Sequence, residues 1–230
     1  ISTVDAIAGV APFNKAHKNV CNLASLYPQF MHVVVLANSG IASVKDMKGK
    51  TMSTLPRGNT TEVSASHILK VHGVAYTDMK VNFGSITDAV TQMQDGHSNM
   101  MIVGTTIPAS GIMDLAAGRD VRVLDLSDVF GDLKKINAGY TLVDIPIGTY
   151  PKQDKVIRVP GFAAHVVVSC KLPDDVVYGM AKAIAENVPA LSAIGKAVAN
   201  LTPQIMAADI GVPLHPGAAR FYKERGVAVK

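Results

Sequence analysis

Apolar residues fall into short runs punctuated by glycine and proline, and the spacing inside the runs alternates between strand-like and helix-like. MHVVVLA at 31 to 37 and GFAAHVVVSC at 161 to 170 have the length and β-branched content of buried strands. Between them the pattern predicts a strand over 51 to 55 and a helix over 60 to 72, with Ala65, Ile68 and Leu69 on one face and a stop at Gly73. A strand over Lys80 to Phe83, a turn at Gly84 and a Ser85-x-x-Asp88 capping box follow. That box opens a helix carrying Ile86, Ala89, Val90 and Met93, which ends at Gly96. Asn99 to Val103 reads as a strand, Pro108 as the first turn of a helix running to Gly118, and Val121 to Leu124 as the next strand. Strands alternating with helices at this spacing predict parallel β-α-β units in an open sheet.

The flanks are less regular. Ser2 to Ala6 is weakly strand-like, and Val20 to Leu36 reads as a strand, a break at Pro28 and a second strand. Asn38-Ser39-Gly40 forms a turn, and Ser43 to Met47 a short helical turn. Tyr140 to Pro151 and Lys155 to Val159 are extended pieces, and Ala163 to Ser169 a buried strand. From Pro173 the chain reads as helical, with Asp174 and Asp175 complementing the dipole of a helix over Val176 to Val188. Further helices are expected at about 189 to 199, 202 to 208 and 216 to 225. The chain contains no repeat of fixed period and no low-complexity linker.

Ligands of open α/β sheets sit where strands end and helices begin. Three polar turns occupy such places: 57 to 61, 84 to 85 and 104 to 106. The first is the richest, since Arg57 and Gly58 precede Asn59, Thr60 and Thr61 at a helix start, where backbone N–H groups attract anions. Asn59 and Glu62 have capping-box spacing. Arg57, Asn59, Thr60 and Thr61 are therefore candidates for one carboxylate, with Ser85, Thr105 and Thr106 as further polar contacts. The same residues would also serve as ordinary helix caps beside a solvated arginine.

Composition narrows the classes. Apolar residues make up 48% and charged residues 17% of 230, with mean hydropathy +0.25. No run approaches the roughly 18 apolar residues of a membrane span. The net charge of +4 is scattered, Trp is absent and aromatics are 5%, which argues against nucleic-acid binding. The motifs for phosphate loops, dinucleotides, hydrolase nucleophiles and zinc helices do not occur; Gly49-Lys50-Thr51 lacks the upstream glycine, the position being Val44. Seven histidines show no ligand spacing, and His32 and His165, in apolar strands, read as hydrogen-bonded structural residues. The methionines read as core filling. No catalytic residue, metal or cofactor is expected. Cys21 and Cys170 default to buried thiols, with a bridge as the alternative. The sequence begins at Ile1 and contains no export signal.

Four stretches carry a resemblance. LASLYPQFMHVVVLANSGIASVKDMKGKTMSTLPRGNTTEV at 23 to 63, IPIGTYPKQ at 145 to 153, VVVSCKLPDDVVYGMAKAIAENV at 166 to 188 and PLHPGAARFYKERG at 213 to 226 closely resemble the TAXI family. These are solute-binding subunits of tripartite ATP-independent periplasmic (TRAP) transporters. The resemblance implies an α/β type II periplasmic binding protein fold, two lobes joined by two crossing strands near Val33 to Asn38 and Ala163 to Ser169. Lobe one would comprise 1 to 36 and 166 to 230, incomplete at its N-terminus relative to the family, and lobe two 37 to 165. It further implies a periplasmic monomer that closes by hinge motion on glutamate, glutamine or a dicarboxylic acid and delivers it to TRAP membrane subunits. Tyr27 becomes a candidate ligand contact near the hinge, or else a core aromatic before Pro28. Gly58-Asn59-Thr60-Thr61-Glu62 stands where the family often has Gly-Ser-Gly-Thr-Glu, and Asn99 where a second acid is common. The alternatives are a ligand-sensing domain of a receptor or regulator, separable by gene neighbours encoding membrane subunits, and a pyrimidine-synthase-like enzyme, which would need a reactive His32 or His165.

Overall fold

The computed structural model describes residues 1–229. The chain forms two compact units, Ile1–Pro28 with Phe162–Lys230 and Gln29–Gly161. The passages between them lie at 28–29 and 161–162, where the resemblance set them at 36–37 and 165–166. Two strands make those passages, β1 (Cys21–Leu36) and β7 (Ile157–Val168).

In the second unit, β2 (Thr51–Thr54), α2 (Thr60–Val71), β3 (Lys80–Phe83), α3 (Ile86–Gln94), β4 (Met100–Thr105), α4 (Ser110–Gly118) and β5 (Val121–Val123) alternate as the periodicity requires. β2 pairs in parallel with both β3 and β4. β1 lies antiparallel between β4 and β5, since Val34 faces Met101 on one side and Val123 on the other. The parallel set is thus interrupted by one strand of opposite direction, a long-range pairing that local periodicity does not encode. β6 (Thr141–Ile145) pairs antiparallel with β7.

β1 is buried on both faces, which is why it reads as a continuous apolar run. On one face Phe30, Val34, Met101 and Val103 pack with Ala89 and Met93 of α3 and Ile112 and Leu115 of α4. On the other, Thr61 of α2 approaches Gly104 so closely that a Cβ there would stand 2.8 Å from its Oγ1. α5 (Phe130–Ile136) lies in a stretch to which the sequence pattern assigns no element, and it packs beside α2.

The first unit holds α1 (Ser2–Ala8), α6 (Asp174–Glu186), α7 (Val188–Ile194), α8 (Pro203–Met206) and α9 (Pro216–Glu224). Its core joins Leu23 and Ala24 of β1 to Val177, Ala181, Ala218, Phe221 and Tyr222. Tyr222 Oη donates to the Leu23 carbonyl at 2.6 Å, and burial pushes its pKa up. α6 and α9 touch backbone to backbone, because Gly217 leaves no room for a Cβ against the Asp174 carbonyl.

Several expectations are corrected. Ser2 to Ala8 is helical, closed by Gly9 in the left-handed region (φ 69) with its N–H bonded back to the helix. β1 runs through Pro28 without a break, because its ladder to β4 begins only at Phe30 and the missing N–H interrupts none of those pairs. α4 begins at Ser110, not at Pro108. Ala163 to Val166 are half-buried and Val167 is exposed, so that stretch of β7 is not a buried strand. Cys21 and Cys170 are bridged, with Cα atoms 5.1 Å apart. No helix of the described residues is long and apolar enough to cross a membrane.

Candidate functional site

The parallel register brings the ends of β2, β3 and β4 to one edge, with Thr54 level with Phe83 and Ile102. All three polar turns therefore lie on the same side of the second unit. What they offer differs from an open array of donors. Gly58 N–H donates to Glu62 Oε2 at 3.1 Å, Asn59 N–H to the Pro56 carbonyl at 3.1 Å and Thr61 N–H to Asn59 Oδ1 at 2.9 Å. Glu62 reaches Gly58 and not Asn59, so the expected capping box is displaced by one residue. The chain's own carboxylate thus occupies the start of α2. Asn59 is a cap by geometry, and Thr61 is buried with its side chain turned onto Gly104.

Ser85 is likewise committed. Its Oγ accepts from Asp88 N–H at 3.1 Å, and both its N–H and its hydroxyl bond Asp88 Oδ2 at 2.8 Å. These bonds, foremost the one from the Ser85 hydroxyl, hold the Asp88 carboxyl below the usual range.

Two parts of the predicted set stay available. Thr105, opposite Phe30 at the end of β4, and Thr106 are half-buried, and their hydroxyls make no hydrogen bond among the described residues. Arg57 makes no ion pair among them either. Its guanidinium carbon stands 4.4 Å from the Phe83 ring centroid and 5.5 Å from that of Tyr76. Arg57 therefore leans toward β3, the edge strand, whereas Thr105 and Thr106 follow β4 on the other side of β2. Phe83 and Tyr76 are absent from the sequence-predicted set; the available signal was an aromatic closing a strand directly before a glycine turn. Tyr27 is half-buried on the part of β1 that belongs to the first unit. Asn99, where a second acid is common, braces the opposite strand ends by accepting from Thr51 N–H at 3.0 Å.

The two strand histidines are hydrogen-bonded on both ring nitrogens. His32 is fully buried between the Phe30 carbonyl (2.9 Å) and the Tyr150 hydroxyl (2.8 Å), and Tyr150 in turn accepts from Ala109 N–H at 3.2 Å. Because the carbonyl can only accept, Nδ1 carries the proton and Nε2 accepts from the tyrosine. Burial pulls the His32 pKa down to about 4 and pushes Tyr150 up to about 12. His165 bonds the Ala163 carbonyl and the Thr3 hydroxyl, both at 2.9 Å, and burial lowers its pKa. Neither ring has a nitrogen free to act on a substrate. Among the described residues no three His, Cys, Asp or Glu side chains group as a metal site. A cavity of about 570 Å³ lies on the β5 side of the second unit, lined by Ile112, Val121, Val123 and Tyr150 among others; it takes in none of the predicted site residues.

Solved structures similar to this chain include the following three. The periplasmic aliphatic sulphonate binding protein SsuA from Escherichia coli is 16% identical over 96% of this chain and 62% of its own, with a TM-score of 0.43. A mutant of ArgBP from T. maritima is 14% identical over 80% and 62%, with a TM-score of 0.45. A structure concerned with glutathione import via GshT and the cystine importer TcyBC of Streptococcus mutans is 18% identical over 80% and 64%, with a TM-score of 0.44. The chain thus spans less than two thirds of the length of each. The architecture is mixed α/β, a sheet flanked by helices with two strands passing between two units, as in the type II binding-protein fold. A family model matches residues 2–226, and the chain belongs to the NMT1-like family.

Proposed function

We propose that this chain is the ligand-binding part of a non-catalytic, extracytoplasmic solute-binding protein of TAXI type. It captures a small carboxylate such as glutamate, glutamine or a dicarboxylic acid and delivers it to the membrane subunits of a TRAP transporter. The observation that carries the reading is the Arg57 guanidinium, in no ion pair among the described residues, at the edge where β2, β3 and β4 end. Thr105 and Thr106 supply hydroxyls at the same edge.

Magnitudes require several contacts. Micromolar affinity needs about 8 kcal/mol, whereas one helix terminus gives about 0.3 to 2 kcal/mol, and here Glu62 already occupies that of α2. The guanidinium, able to bond a carboxylate bidentately, is the stronger anchor. The Cys21–Cys170 bridge supports an oxidising, extracytoplasmic compartment. The pyrimidine-synthase-like alternative loses its candidate residues, since His32 and His165 are committed on both nitrogens.

Thermal unfolding of the chain with L-glutamate, L-glutamine or succinate tests the proposal. Ligand at a hundred times Kd stabilises by about 2.7 kcal/mol, a readily measured rise in Tm. No stabilisation by any of the three refutes it.

A further inference from the structure

The way Arg57 is held bears on which anions this edge accepts. Its guanidinium carbon lies within the roughly 6 Å range of a cation–π contact from both Phe83 and Tyr76. The two rings meet edge to face, centroids 5.8 Å apart at 87°. Tyr76 is fixed in turn by its hydroxyl, which donates to the Glu62 carbonyl at 3.2 Å. The guanidinium face thus rests on carbon while its N–H edge makes no ion pair among the described residues. A fork restrained in this way loses little further freedom when a carboxylate joins it.

Charge at the edge is equally restricted. Arg57 is the one cationic side chain in the turns 55–62, 83–88 and 104–110, and Glu62 and Asp88 sit beside the two helix starts. A ligand with a second negative charge on the same head group finds no second cation there and meets two carboxylates.

We propose that Phe83 and Tyr76 are positioning residues that hold the Arg57 fork for one planar, singly charged carboxylate, and that the edge selects such a head group over a doubly charged phosphate. This rests on the carboxylate-binding reading above. Phe83 is suited to testing because it closes its strand and is 36% exposed, so its replacement leaves the core intact.

The experiment is calorimetric titration of the chain with L-glutamate, succinate and inorganic phosphate, alongside NMR of the Arg57 δ-methylene protons. Carboxylates should bind at least about tenfold more tightly than phosphate, the difference that one unfavourable charge contact produces. Phe83→Leu should weaken carboxylate binding about two- to fivefold, and Phe83→Tyr should restore it. Arg57→Lys, which keeps the charge and removes the fork, should weaken it about tenfold or more. In the ligand-free chain the Arg57 protons should be shifted upfield by the rings, an effect lost in Phe83→Leu and kept in Phe83→Tyr. Phosphate binding as tightly as carboxylate overturns the selectivity, and unchanged binding and shift in Phe83→Leu overturn the positioning role. If the unmodified chain binds no carboxylate, the functional reading and the selectivity both fall, while the ring-current shift still decides how Arg57 is held.

Discussion

Removing the Cys21–Cys170 bridge, by reduction or by the double substitution Cys21→Ser and Cys170→Ser, should destabilise the first unit severely. The bridge closes a loop of 149 residues. Loop-closure entropy for that length is about −17 cal/mol/K, or about 5 kcal/mol at 25 °C, at the upper end of the roughly 2 to 5 kcal/mol typical of native disulfides. Both cysteines belong to the first unit, where the bridge ties the start of β1 to the turn before α6. The second unit lies wholly within the loop and keeps its own core. Hydrogen exchange resolved by residue, with and without reductant, reads this directly. Amides of α6 and α9 should lose protection corresponding to several kcal/mol, and those of β4 should change little. Equal loss of protection in β4 and α9, or a change below about 1 kcal/mol in α9, would refute the reasoning.

Three further outcomes are expected. Gly217→Ala should cost about 3 kcal/mol or more, because its Cβ would stand 2.1 Å from the Asp174 carbonyl oxygen and part α9 from α6; urea unfolding measures this, and a cost under 1 kcal/mol contradicts the close packing. His32 should make stability acid-sensitive. Its folded pKa of about 4 lies below the ordinary 6.5, so the unfolded chain binds the proton first. Its contribution is therefore fully present above pH 6.5 and is lost as pH falls toward 4, up to about 3 kcal/mol; an NMR titration placing His32 near 6.5 would contradict this. Asn59→Ala should lower stability by about 0.5 to 2 kcal/mol through loss of the bond to Thr61 N–H, and a variant as stable as the original would show that Asn59 does not act as the α2 cap.

The segment from β2 through α4 was legible because each element announces itself locally. Ala65, Ile68 and Leu69 fall at helical spacing, and Ser85 with Asp88 marks a helix start that the structure reproduces bond for bond. What stayed hidden depends on partners far along the chain. The antiparallel insertion of β1 between β4 and β5, the continuity of β1 through Pro28 and the bridging of Cys21 are such cases. α1 was misread because a seven-residue segment rich in β-branched residues carries little helical signal apart from Gly9 at its end. At the candidate site, sequence located the turns but not their use, since a cap and a ligand seat require the same residues. The structure separates them: Asn59, Thr61 and Ser85 spend their capping groups on the protein, whereas among the described residues Arg57 makes no ion pair and the Thr105 and Thr106 hydroxyls make no hydrogen bond.

The interrupted composition of the first unit has a consequence for biosynthesis. Its two pieces flank the entire second unit, so the earlier piece must wait for the later one. At about 5 to 20 residues per second, the 149 residues separating Cys21 from Cys170 take roughly 7 to 30 s to synthesise. Gln29–Gly161 is an unbroken stretch of chain from which its own sheet can be completed before Phe221 and Tyr222 are made, whereas until then Leu23 and Ala24 have neither to pack against, and Cys21 has no native partner until Cys170 is made. The second unit can therefore mature before the first, although residues 1–28 precede it in the chain, and a factor that shields residues 1–28 would act before the second unit is finished.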